Sequence, residues 1–176
     1  MPLKPAVSSL ARQTIKAAYE ELDRTIAPED SRTFTGTTLP QVKRAILELE
    51  EQLAAKRLLR NLRRLDPLLK GFEHYSKAID VLCNGTPYLP WIWAPLTLIL
   101  RVASDYVEAF EQLIKGYSRI SQSLLRFEVL GNSFLNNPNF QQTLAIFYVD
   151  ILSFHKYAYK LVRRSGRLIP KYPLSR

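Results

Sequence analysis

A bundle of roughly six α-helices is the fold this sequence predicts. Three observations carry that prediction. Apolar residues return at three- and four-residue steps in stretch after stretch, which is the period of one helix face. No segment alternates apolar and polar residues between turn signals, as a half-buried strand would. Junctions rich in polar residues and proline, at 27–38, 84–87 and 137–138, punctuate the periodic stretches. The 176 residues are 47% apolar, enough to bury a real core, and at this length one continuous domain is expected. No internal repeat is visible.

Val7, Leu10, Ala11, Ile15, Ala18, Leu22 and Ile26 set the face of a first helix that stops before Pro28. Residues 27–38, APEDSRTFTGTT, read as a loop. Thr38 is placed to cap a second helix with Pro40 in its first turn. Its stripe begins at Val42, Ile46, Leu49 and Leu53, and Leu58, Leu59, Leu62 and Leu65 extend it on a slightly rotated face. Asp66-Pro67 reads as a cap and first-turn proline, starting a third helix that runs to about Cys83. Asn84-Gly85-Thr86-Pro87 is a turn. Pro95 restarts the chain, so the next helix begins at Ala94 or Pro95. Ser104 or Asp105 is the expected cap of a further helix, with Glu108 near its positive end. That helix either breaks near Gly116 or runs to Leu130. Asn137-Pro138 repeats the cap-and-proline signal, and Gly166 is the expected end of the last helix.

The expected core is Trp93, Leu96, Leu100, Phe110, Leu113, Tyr117, Leu124, Phe147, Ile151 and Phe154. Residues 88–100, YLPWIWAPLTLIL, form the longest apolar run. It is shorter than the roughly 20 residues a spanning helix needs and holds two prolines, so it reads as a buried core segment. The N-terminus lacks an apolar core of signal-peptide length, and a cytoplasmic location is expected, with peripheral membrane contact as the alternative.

Few residues offer catalysis. Cys83 stands alone, which excludes an internal disulfide and a cysteine-based zinc site, and it reads as an apolar filler. No phosphate-cradling glycine loop, nucleophile elbow or His-Glu-x-x-His helix is present. His155 falls on the apolar stripe of the last helix and reads as a core histidine; His74 reads as solvated. Asp80 and Asp150 lie between apolar neighbours and are expected to face outward or to partner a basic residue, with a paired-carboxylate site as the weaker alternative. No catalytic residue, metal or cofactor is expected.

Charge says more. Lys and Arg number 25 against 16 Asp and Glu, a net charge of +9. Lys56, Arg57, Arg60, Arg63 and Arg64 crowd one acid-free stretch, and helical spacing puts Lys56, Arg60, Arg63 and Arg64 on one face. No acid follows Asp150, while Lys156, Lys160, Arg163, Arg164, Arg167, Lys171 and Arg176 do. Cations near a helix C-terminus also complement its dipole. The functional expectation is contact with an anionic membrane surface. No nucleic-acid motif accompanies the cations, so no specific nucleic acid is expected.

The blocks Trp93-Ala94-Pro95-Leu96, Val102-Ala103-Ser104-Asp105-Tyr106 and Tyr148-Val149-Asp150-Ile151-Leu152-Ser153-Phe154-His155 occur in order. They are flanked by Phe72 with Ser76-Lys77-Ala78-Ile79-Asp80-Val81 and by Arg163-Arg164-Ser165-Gly166. Over residues 72–166 the chain resembles the helical N-terminal domain of fungal NACHT–ankyrin and NACHT–WD-repeat proteins, the NOD-like receptors of fungi. The resemblance implies an α-helical effector or adaptor module of a signalling ATPase, linked to self/non-self recognition and programmed cell death. It brings no catalytic residues. Members of that group continue into a nucleotide-binding NACHT domain, often through a Trp after the Arg-x-Gly. Here Arg167 follows Gly166, so either an isolated or truncated module or a stand-alone relative is expected, and ATP-driven switching is not carried over. On this reading, residues 1–66 are an amphipathic helical segment packed on the rest, with a helical hairpin arm as the variant form. Residues 67–166 are the family-like bundle and 167–176 a basic tail. The expected function is a non-enzymatic signalling or interaction module that binds a protein partner or itself through helix faces. The alternative is a membrane-active cell-death executor binding anionic lipid.

Overall fold

Helix starts are set by side chains and prolines that settle the free N–H groups of a first turn. The computed structural model describes residues 6–58 and 60–168, with the side chains of 131, 132 and 165–168 outside the description. Among these residues it is all helical: α1 (Ser9–Thr25), α2 (Pro28–Ser31), α3 (Leu39–Ala55), α4 (Asp66–Cys83), α5 (Ala94–Ala103), α6 (Val107–Leu130) and α7 (Pro138–Leu168). Six are long and α2 is a single turn. Ser8 caps α1 by accepting from Ala11 N at 3.2 Å. Thr38 and Gln41 form a reciprocal capping box at α3. Asn137 Oδ1 accepts from the backbone N–H of Asn139 and Phe140 to start α7.

Several junctions differ from the sequence expectation. Residues 27–38 are not plain loop: α2 and a 3₁₀ turn, Phe34–Gly36, lie there, and Phe34 is buried edge-on against Trp91. α3 ends at Ala55 rather than running on through Leu58. Leu58 N bonds Leu53 O at 2.8 Å and Arg57 N bonds Ala54 O at 3.0 Å, while Arg57 takes φ 59°. That pairing is a Schellman stop, here with arginine in the left-handed position that favours glycine. Leu62 and Leu65 are buried, but from a 3₁₀ turn, Leu62–Leu65. Leu59 lies outside the described residues. Asp66 is inside the first turn of α4 and makes no cap, and Ser104 closes α5, its hydroxyl donating to Arg101 O. α6 runs unbroken past Gly116, and α7 runs through Gly166 to Leu168.

The helices pack around α7. α1 runs parallel to it, with Ser8 N bonded to Gln141 Oε1 at one end and Asp30 meeting Arg163 beyond the other. α6 runs antiparallel, since Tyr117 meets Phe154 and His155 while Phe127 meets Phe147. α4 lies along α6, and α5 sits between α7 and α3. The two long helices of the first 66 residues are thus both packed on the bundle, and one apolar cluster runs from Ala11 to Val162. Of the expected core, Trp93, Leu96, Leu100, Phe110, Leu113, Tyr117, Leu124 and Ile151 are buried. Phe147 and Phe154 are only half-buried at its margin, because they flank rather than centre the inward face of α7. Residues 88–100 are split between a 3₁₀ turn, Leu89–Ile92, and α5, and among the described residues no helix is long and apolar enough to cross a membrane.

The α6–α7 contact depends on a missing side chain. A Cβ at Gly116 would stand 2.2 Å from Cζ of Phe154, whose ring is fixed edge-on against Tyr117 at 4.7 Å. Alanine would gain about 1 kcal/mol of helix propensity, but the clash costs about 1–3 kcal/mol. Gly116→Ala is therefore expected to lower the denaturation free energy by up to about 2 kcal/mol. In a Phe154→Ala background the same change should be neutral or stabilising, which urea unfolding of the four chains would read.

Candidate binding surface

The polar groups best suited to chemistry are held inside the fold. His155 is fully buried. Its Nε2 lies 2.7 Å from Ile92 O, a pure acceptor, so Nε2 carries the proton and Nδ1 accepts from Tyr117 O–H at 2.9 Å. Burial depresses its pKa to about 4, so the ring is neutral. Cys83 is buried, and desolvation pushes its thiol up to about 12. Asp150 is exposed on the outer face of α7, away from His155, with partial desolvation raising its pKa. Asp80 is exposed as well. His74 is half-buried rather than fully solvated, 3.9 Å from Glu128. No group of three His, Cys, Asp or Glu among the described residues is arranged to hold a metal.

The basic residues expected at the surface divide into two sets. One set ties the fold together. Arg64 grips Glu111 through both terminal guanidinium nitrogens at 2.8 Å, which holds the Glu111 carboxyl below its ordinary range. Arg63 lies 3.8 Å from Glu50. Arg60 is half-buried over the Phe110 ring at 5.8 Å. Lys156 pairs with Glu21 and lowers its pKa. Arg163 pairs with Asp30 and covers the Tyr159 ring. The other set, Lys56, Arg57, Lys160 and Arg164, is exposed. The side chain of Arg167 and the tail with Lys171 and Arg176 lie outside the described residues. The single helix face expected for Lys56, Arg60, Arg63 and Arg64 does not form, because α3 has already ended at Ala55. Neutralising all of residues 56–64 would therefore remove fold contacts as well as charge.

The fold brings the two clusters to one end. Arg60 and Arg64 meet Phe110 and Glu111, and Tyr157 of α7 accepts from Gln112 at 2.6 Å. The first turns of α6 thus stand between them. At the same end, a groove of about 860 Å³ opens between the end of α1, α2 and the end of α7. Tyr159 O–H ties its walls together: the hydroxyl accepts from Ala27 N at 3.1 Å and donates to Asp30 Oδ2 at 2.7 Å. Charge alone pointed to α7. The groove's other wall, from Arg24 to Asp30, follows only from the parallel packing of α1 on α7.

No curated protein and no solved structure is significantly similar to the chain. A family described as a domain of unknown function, DUF7708, matches residues 63–168, from the 3₁₀ turn before α4 to the end of α7. That is more than half of the sequence, and the chain belongs to the DUF7708 family.

Proposed function

We propose that the chain is a non-enzymatic signalling or interaction module, of the kind its resemblance to fungal NOD-like receptor N-terminal domains implies, working by association with a protein partner or with itself. The observation that supports this most is where the reactive side chains lie. A general base must reach the proton it takes, and both nitrogens of His155 are occupied inside the core. A nucleophilic cysteine must ionise, and Cys83 is held as the thiol. What the molecule turns outward is charge around a groove. The convergence of both basic clusters at one end favours a second reading, contact with anionic lipid, since each cation near such a surface contributes about 1 kcal/mol.

A module of this kind gains output from proximity, because tethering raises effective concentration to about the millimolar range. Fused to an inducible oligomeriser in a fungal host, the chain is expected to produce growth arrest or death only with inducer. Equal output with and without inducer would contradict the reading, and inducer-dependent leakage of acidic vesicles would move it to the lipid alternative.

A further inference from the structure

We propose that the groove between α1, α2 and α7 is the docking site for an acidic peptide segment of a protein partner, seated by an apolar side chain. This deepens the interaction reading above and rests on it.

The groove has two chemistries. Its floor is apolar: Ile26 and Val162 are buried and Val102 is half-buried. Its rim is cationic. Arg24 from α1 and Lys160 and Arg164 from α7 are exposed, and among the described residues none has an ion pair of its own. Glu21 is within electrostatic reach of Arg24 and Lys160, but its hydrogen bond is to Lys156. Two acids also line the groove. Asp30 is already committed to Tyr159 and Arg163, which leaves Glu29 as the one unpaired carboxylate against three unpaired cations.

That balance selects an anionic ligand, and the shape selects its class. The volume falls in the range of about 300–1,000 Å³ typical of ligand clefts. One inorganic anion would fill a fraction of it and leave Val102 and Pro28, the apolar residues that still face the groove, in water. A lipid bilayer is a broad surface and does not enter a concavity between helix ends. A short segment carrying carboxylates on both sides of a large apolar residue satisfies the rim and the floor together.

The probe is a fluorescein-labelled peptide, Asp-Glu-Leu-Phe-Asp-Glu, titrated against the full chain by anisotropy. Saturable binding is expected. Reversing Arg24→Glu, Lys160→Glu and Arg164→Glu together should weaken it by about tenfold or more. Reversing Arg44, Arg119 and Arg126, exposed cations away from the groove, changes net charge equally and should weaken it less than about twofold. Val102→Trp, which fills the floor without touching charge, should also weaken it, and so should replacing the peptide's Leu and Phe by Ala. Unchanged thermal midpoints establish that each variant is folded. The proposal is overturned by equal loss in both triple variants or by no binding at about 1 mM peptide. It is also overturned if the groove variant loses only its binding to phosphatidylserine vesicles. Inducer-dependent output without peptide binding would remove the groove and leave the interaction reading in place; binding without output would do the reverse.

Discussion

Trp93→Ala is expected to lower the unfolding free energy by about 3–5 kcal/mol, the usual cost of truncating a buried tryptophan. The ring is 6% exposed, and its Nε1 donates to Thr37 O at 2.9 Å. Trp93 therefore does two things. It fills the space at the start of α5, and it pins the connection between α1 and α3, where Thr37 precedes the Thr38 cap. Alanine leaves a cavity and an unpaired carbonyl. Trp93→Phe keeps most of the ring volume and loses only the hydrogen bond, so about 1–2 kcal/mol is expected. Urea unfolding of the two variants would check the ordering. Hydrogen exchange at residues 34–38 should rise in both. Equal, small losses would mean that the ring is not part of the core.

Acidification is expected to remove about 3 kcal/mol of stability between pH 6.5 and 4 through His155 alone. The folded-state pKa is depressed to about 4. In the unfolded chain the ordinary value near 6.5 applies. Above pH 6.5 both states are neutral and the contribution is complete. As pH falls below 6.5 the unfolded chain takes up a proton that the folded chain refuses, and the contribution is lost as pH passes down to the folded value. Carboxylates such as Glu21, Glu73 and Glu111, whose pKa values are lowered by Lys156, Lys43 and Arg64, weaken the fold in the same direction but at lower pH. The upper part of the window therefore reports His155. His155→Gln, whose amide can donate to Ile92 O and accept from Tyr117, should flatten the melting temperature between pH 6.5 and 5. His155→Ala leaves both partners unpaired in the core and should cost about 3–5 kcal/mol at neutral pH. A wild-type profile that is flat across this range would mean that the ring is solvated.

The long helices were legible because each carries its period and its punctuation in neighbouring residues: Thr38 with Pro40, Asn137 with Pro138, Pro95 after the tryptophans. Other features were not. The apolar period of α3 continues past Ala55 because Leu62 and Leu65 are buried too, and periodicity does not distinguish an α-helix from a 3₁₀ turn feeding the same core. Phe34 is a single apolar residue in a polar stretch, and Trp91 buries it from another part of the chain. Gly166 fails to end α7, although it carries the usual stop residue.

At the candidate surface, composition gave the cations but not their partners. Glu111, Asp30 and Glu21 lie 47, 133 and 135 residues from Arg64, Arg163 and Lys156, so which cations are held by the fold is a property of the packing. The charge reversals most informative for binding are therefore Arg24, Lys160 and Arg164, not Arg60 or Arg163. Arg24 drew no notice in the sequence, since it is a lone cation among acids until α1 is laid against α7.

The most direct test of the central claim, that output depends on assembly and not on a reactive side chain, is the inducible oligomeriser fusion carrying Asp150→Ala and His155→Gln together. At matched amounts of folded protein, growth arrest is expected to remain and to require inducer. Loss of the arrest with the fold intact, or arrest that ignores the inducer, would contradict it.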